Sequence, residues 1–280
     1  QAYIGGLGVF LVAINFSFLP VPVVWILSIA GAFIFGAAWA FIPAYLQAKR
    51  GSHIVITTIM FNFIASSLMV YLLVDVIRDM KQMGPHTVAL PKELWLPSFK
   101  DFAALFGIKI RYSPLNASFL LAIAASFFVW FLVWKTKWGY EMRAVGHNTQ
   151  AAIYAGISPY KNIIIAMLIS GGLAGLLSIN EILGVHHKIV SGFPAGYGFT
   201  GIAVALMGRN HPIGIFPAAF LFGILYQGGS EVTFDMPNIT RYMFVAVQGV
   251  IILFSGALEN LFRPQIESFF VNRLNKQVEA

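Results

Sequence analysis

The sequence predicts an all-α fold, a polytopic transmembrane helical bundle of about eight spans. Two observations carry this prediction. Of the 280 residues, 58% are hydrophobic and only 10% charged, whereas soluble domains carry about a quarter charged residues. Apolar runs of about 17 to 25 residues also recur, the length at which a helix rising about 1.5 Å per residue crosses a hydrocarbon core. Lipid offers a bare backbone no hydrogen-bond partner, so only helices and closed barrels span it, and the period-2 alternation of barrel strands is absent.

Taken in order, the expected spans are 3–19, 22–47, 54–75, 115–134, 162–184, 193–208, 212–230 and 240–259. Pro20 and Pro22 punctuate the first hairpin, because proline fixes φ and has no N–H to donate. The chain begins at Gln1 inside an apolar run, so a preceding N-terminal part with at least one more span is expected. Alternating the loops across the membrane gathers Lys49, Arg50, Lys135, Lys137, Arg143, Lys161, Arg209, Arg263, Arg273 and Lys276 on one side. By the positive-inside rule that side is cytoplasmic. The resulting organisation is a transmembrane domain at 1–264, with an external loop at 76–114 and a cytoplasmic region at 136–161, followed by a cytoplasmic tail at 265–280.

The formal net charge of +7 lies between spans, so it reads as a topology signal and excludes nucleic acid as a partner. Cysteine is absent, which removes disulfide and thiolate chemistry. The adjacent His186 and His187 lack an acidic or Cys partner at metal spacing, so no metal is assigned. No Ser/His/Asp or paired-carboxylate constellation is visible, which argues against an intramembrane enzyme. Gly196–Phe199, "GYGF", lacks the preceding pore helix of an ion filter and reads as a flexible entry to a helix. The GxxxG pairs Gly171/Gly175 and Gly192/Gly196 read as close helix packing.

The polar run "GYEMRAVGHNTQAAIYAGISPYKN" from Gly139 to Asn162 stands out. It reads as a short helix with Asn148 as N-cap and Gly156 as a left-handed stop, with Ser158 and Pro159 opening the next span. Periodicity alone allows a helix lying on the headgroups or one entering a groove of another protein through Ala151, Ala152, Ile153 and Ala155. Polar groups inside spans complete the candidates. Asn62, Gln227 and Gln248 are amides on three spans, suited either to a sugar-like solute or to interhelical contacts. Glu181, beside Asn180, faces a polar cavity or reaches the outer headgroups.

Three segments in order, "TTIMFNFIA" (Thr57–Ala65), "GYEMRAVGHNTQAAIYAGI" (Gly139–Ile157) and "GYGFTGIAVALMGRNHPIGI" (Gly196–Ile215), resemble ABC importer permeases of the branched-chain amino acid, simple-sugar and nucleoside branch. The likeness is greatest to nucleoside and simple-sugar permeases that work with basic-membrane-protein-type binding lipoproteins, and it runs from Gln1 to about Pro264. The sequence departs from the family in lacking the Asn-Ile-Gly-Ala-Glu-Gly motif that precedes this region, and in placing His53 where many relatives have an acid. The resemblance implies a transport subunit, not an enzyme, working with a second permease, an external lipoprotein and a separate ATPase that binds the ATP. It implies no cofactor of this chain's own, consistent with the absence of G-x-x-x-x-G-K-[ST] from these residues. It further implies that Glu141, Arg143, Gly146, Asn148, Ala151, Ala152 and Gly156 couple to the ATPase, in the inner membrane of a bacterium. Asn62, Asn180, Glu181, Gln227 and Gln248 are the expected substrate pathway. A proton-coupled secondary transporter using Glu181 is the alternative.

Overall fold

A computed structural model describes residues 1–80, 84–100, 115–236, 243–251 and 253–254. The expected tail at 265–280, the basic residues Arg263, Arg273 and Lys276, and parts of the external loop and last span lie outside the described residues. The described chain is helical, and its β-structure is limited to two isolated bridges, His86 to Val190 and Ser98 to Asn116.

The chain forms two compact units, Gln1–Ala195 and Gly196–Ala280. The first contains α1 (Ala2–Asn15), α2 (Val21–Arg50), α3 (Ile54–Tyr71), α4 (Ser118–Lys135), α5 (Lys137–His147), α6 (Thr149–Tyr154) and α7 (Pro159–Ile179). Helices α3 and α7 each run on into a π-turn, Leu72–Val76 and Asn180–Val185. The second unit contains α8 (Tyr197–Met207) and α9 (Pro212–Asp235). Residues 243–251 are also helical.

Among the described residues five helical stretches are long and apolar enough to cross a membrane: Val21–Arg50, Ile54–Val76, Ser118–Lys135, Pro159–Val185 and Pro212–Phe234. Helices α1 and α8 are apolar but shorter. Of the about eight spans expected, the described residues show five of full length and two shorter apolar helices, so the count of eight is not reached there. Hydropathy overestimated these short helices because it is blind to turns. Gly192, Ala195 and Gly196 all have positive φ, which delays α8 until Tyr197. At Gly192 and Gly196 a Cβ would meet nothing within 4 Å, so this pair serves the turn and not helix packing, contrary to the GxxxG reading.

The Gly171/Gly175 pair does pack. A Cβ on Gly171 would strike Ala40 and the Gly36 carbonyl, and one on Gly175 would strike the Ala32 carbonyl. Glycine and alanine here let the backbones of α2 and α7 touch, which is how helices associate where lipid removes the hydrophobic drive. Gly36→Leu would push a side chain into the Gly171 carbonyl on a facing backbone that cannot yield. Overpacking of this kind costs about 1–3 kcal/mol. The expected outcome is a lower melting temperature of the detergent-solubilised protein for Gly36→Leu but not for Gly223→Leu, where the site is open.

The core of the first unit explains the segment 84–100, which the sequence places in the expected external loop. Leu90 and Leu94 are buried in one cluster with Val9, Val24, Met69 and Ile182. Main-chain bonds then anneal this segment antiparallel to the end of α7. Leu96 N donates to Leu183 O at 2.9 Å, Leu90 N to His187 O at 2.8 Å and Thr87 N to Ile189 O at 3.2 Å. Trp25 Nε1 of α2 donates to Leu94 O at 3.0 Å, and Trp95 stacks flat on His187 at 3.6 Å. Burial pushes the His187 imidazole below its ordinary range, so the stacked ring is neutral at pH 7. The segment is therefore a fixed cap over α2 and α7.

Candidate functional site

The region between α4 and α7, the expected coupling region, is built from local signals. Thr136 caps α5, its Oγ1 accepting from Gly139 N at 3.2 Å while donating to Leu132 O at 2.6 Å. A Cβ on Gly139 would strike the carbonyls of Leu132 and Val133, so glycine alone lets α5 fold back on the last turn of α4. Asn148 ends α5 and starts α6, its Oδ1 accepting from Gln150 N at 3.0 Å and Ala151 N at 3.1 Å. At the other end Gly156 N donates to Ile153 O and Ile157 N to Ala152 O, both at 2.9 Å, with Gly156 at φ 77°. That is a Schellman stop, which requires the left-handed conformation glycine provides. Ser158 and Pro159 then open α7.

The outward face of α6 differs from the expected one. Ala152 is 3% exposed and faces the chain's own helices, whereas Ile153 is 51% and Tyr154 92% exposed. Ala151 lies outward as expected, as do Arg143, Gly146, Asn148 and Gly156. Glu141 is turned inward on α5, 3.9 Å from Lys137 and 3.5 Å from the Nδ2 of Asn162.

The expected pathway residues fall into different surroundings. Asn180 and Glu181 sit in the π-turn that ends α7, within a closed polar network. Asn116 Nδ2 and Ser118 Oγ both donate to Asn180 Oδ1, at 3.0 and 2.8 Å. Ser118 N donates to Asn116 Oδ1 at 2.9 Å, and Asn180 Nδ2 donates to Glu181 Oε1 at 3.0 Å. The second Glu181 oxygen lies 3.5 Å from His186 Nε2. Glu181 is 6% exposed, so it is not solvated at the headgroups. Asn116 and Ser118, which the sequence reading missed, hold this clasp between α4 and α7. Their only signal was a polar start to an apolar run.

Asn62 is exposed on α3 in the first unit. In the second unit Gln227 is exposed, donating to Glu231 Oε1 at 3.2 Å, and Gln248 is half-buried. Among the described residues no three His, Cys, Asp or Glu side chains converge as metal ligands would. The arrangement therefore offers a capped, exposed helix between two spans, a fixed cap at 84–100 and scattered amides.

Residues 1–256 match the family described as "Branched-chain amino acid transport system / permease component". The chain is 36% identical to a guanosine ABC transporter permease of Bacillus subtilis, over 78% of this chain and 61% of that protein. It is 32% identical to a glucose ABC transporter permease of Haloferax volcanii, over 98% of this chain and 72% of that protein. It is 34% identical to a nucleoside ABC transporter permease of Lactococcus lactis, over 88% of this chain and 68% of that protein. A second guanosine permease of Bacillus subtilis and a second nucleoside permease of Lactococcus lactis also match, over 54% and 83% of the chain. The chain thus spans only about three-fifths of the length of the first of these relatives. No solved structure gives a significant match. With its full-length apolar helices and a match over nearly its whole length, the chain is a multi-pass membrane protein that belongs to the permease-component family of branched-chain amino acid transport systems.

Proposed function

We propose that the chain is one of two different permease subunits of an ATP-driven importer that carries nucleosides or simple sugars across the cell membrane. The observation that carries this reading is α6, a six-residue helix capped at both ends between two spans, with Ile153 and Tyr154 exposed. A helix so short is marginal by itself. Its caps and its bare apolar tip suit a rigid plug for a cleft in an ATPase subunit. Family membership and the names of the three relatives support the substrate class. That two organisms each supply two similar permeases supports a heteromeric pair. The cap at 84–100 is the landing surface for an external binding lipoprotein, and Asn62, Gln227 and Gln248 are the pathway amides. The Asn116–Ser118–Asn180–Glu181 clasp holds the outer ends of α4 and α7 in register.

Affinity purification of the chain in mild detergent, with its chromosomal neighbours co-expressed, tests this. The expected complex contains an ATPase, this chain and a second, different permease, and hydrolyses ATP. Recovery of this chain with copies of itself and no ATPase would contradict the reading.

A further inference from the structure

We propose that Asn162 is the positioning residue that makes α5, α6 and α7 move as one piece, through its contact with Glu141; this rests on the importer reading above. Asn162 lies in the first turn of α7 and is 5% exposed. Its Nδ2 donates to Ser158 O at 3.1 Å and to Glu141 Oε2 at 3.5 Å. An amide is costly to bury without partners, and the Glu141 carboxylate is the long-range acceptor for its second N–H. Among the described residues the one ionic partner of Glu141 is Lys137, at 3.9 Å with its side chain 86% exposed. So exposed a pair holds little geometry. Thr136 and Gly139 set α5 against α4, and Asn162 is the side chain that ties Glu141 of α5 to α7.

The place of the contact gives it a mechanical meaning. Glu141 lies before α6 in the chain and Asn162 after it, 21 residues apart. The contact thus closes a frame around α6. On one side of the frame Gly139 presses α5 onto the Leu132 and Val133 carbonyls of α4. On the other, Asn162 ties α5 to α7. A displacement of α6 is then delivered to the spans α4 and α7 together. Without the tie, α5 can swing about Thr136 and the displacement is lost in the connections at Asn148 and Gly156.

The test is a partner-swap cycle in the intact complex with its ATPase and second permease. Uptake of radiolabelled guanosine, uridine and glucose by cells is divided by the ATP hydrolysis of the same complex in isolated membranes. Asn162→Asp sets a carboxylate against Glu141 and should lower uptake per ATP at least about tenfold, with the ATPase still copurifying. Adding Glu141→Gln reverses the pair, so that the new amide donates to the new carboxylate, and should restore the ratio to within about twofold of wild type. Glu141→Leu removes the acceptor at a site 25% exposed, and should lower the ratio even if Asn162→Asp does not assemble. A wild-type ratio in Asn162→Asp or Glu141→Leu, or no restoration in the double variant, overturns the proposal. Loss of copurifying ATPase in Glu141→Leu also overturns it, since Glu141 would then be a docking residue. Absence of ATP-dependent uptake of all three solutes by wild type sinks the importer reading itself, before any variant is compared.

Discussion

Tyr154→Ala and Ile153→Asp are each expected to cut recovery of the ATPase with the chain at least about tenfold and to abolish uptake. Aromatic and large apolar anchors at the centre of an interface are worth about 2 kcal/mol or more, and about 1.4 kcal/mol is a decade in affinity. The two residues are 92% and 51% exposed on α6, and an apolar surface left bare in water is a standing liability. Because α6 is pinned by Asn148 and Gly156, these substitutions remove contact area without loosening the helix. Ala152→Arg should behave differently. Ala152 is 3% exposed against the chain's own helices, so arginine there must displace α6, and thermal stability falls along with coupling. Full ATPase recovery and normal uptake in both Tyr154→Ala and Ile153→Asp would reduce α6 to a helix that lies on the headgroups.

Substitutions at Glu181 are expected to separate a structural clasp from a proton carrier. Glu181→Leu strands the Asn180 amide donor in the π-turn that ends α7, at a cost of about 1–3 kcal/mol. Melting temperature and the amount of assembled complex should fall. Glu181→Gln keeps an acceptor oxygen for Asn180 and cannot carry a proton, so it should assemble and transport close to normally. Asn62→Leu, Gln227→Leu and Gln248→Leu should show the reverse pattern. A solute leaving water loses hydrogen bonds that these amides replace, and loss of one replacement slows uptake about tenfold per 1.4 kcal/mol. Stability should change little at the exposed Asn62 and Gln227.

What the sequence disclosed and what it hid divide by range. The caps at Asn148, Gly156 and Ser158–Pro159 were legible because a cap is decided by a few neighbouring residues. So was the Gly171/Gly175 contact, since small residues four apart mark one helix face. The orientation of α6 was not legible. Six residues make less than two turns, too few for periodicity to say which of Ala152 and Tyr154 faces inward. Asn116 and Ser118 were invisible because their partner Asn180 lies 64 and 62 residues away. Asn162 drew no reading from the sequence, and only its distance to Glu141 gives it a task. The outer cap was read as an external loop, yet its docking depends on main-chain pairing with 183–189, which leaves no mark in residue type. The π-turns that end α3 and α7 likewise carry no local signal.

The central claim is that ATP, hydrolysed on a separate subunit, drives solute through this chain. It is tested most directly by uptake into proteoliposomes holding the complete complex, with Glu181→Gln beside wild type. Uptake should require ATP on the α6 side, stop when the phosphate-binding lysine of the ATPase is replaced, survive a protonophore, and persist in Glu181→Gln. Uptake that continues without ATP, collapses with the proton gradient and is lost in Glu181→Gln would contradict the account and make the chain a proton-coupled carrier.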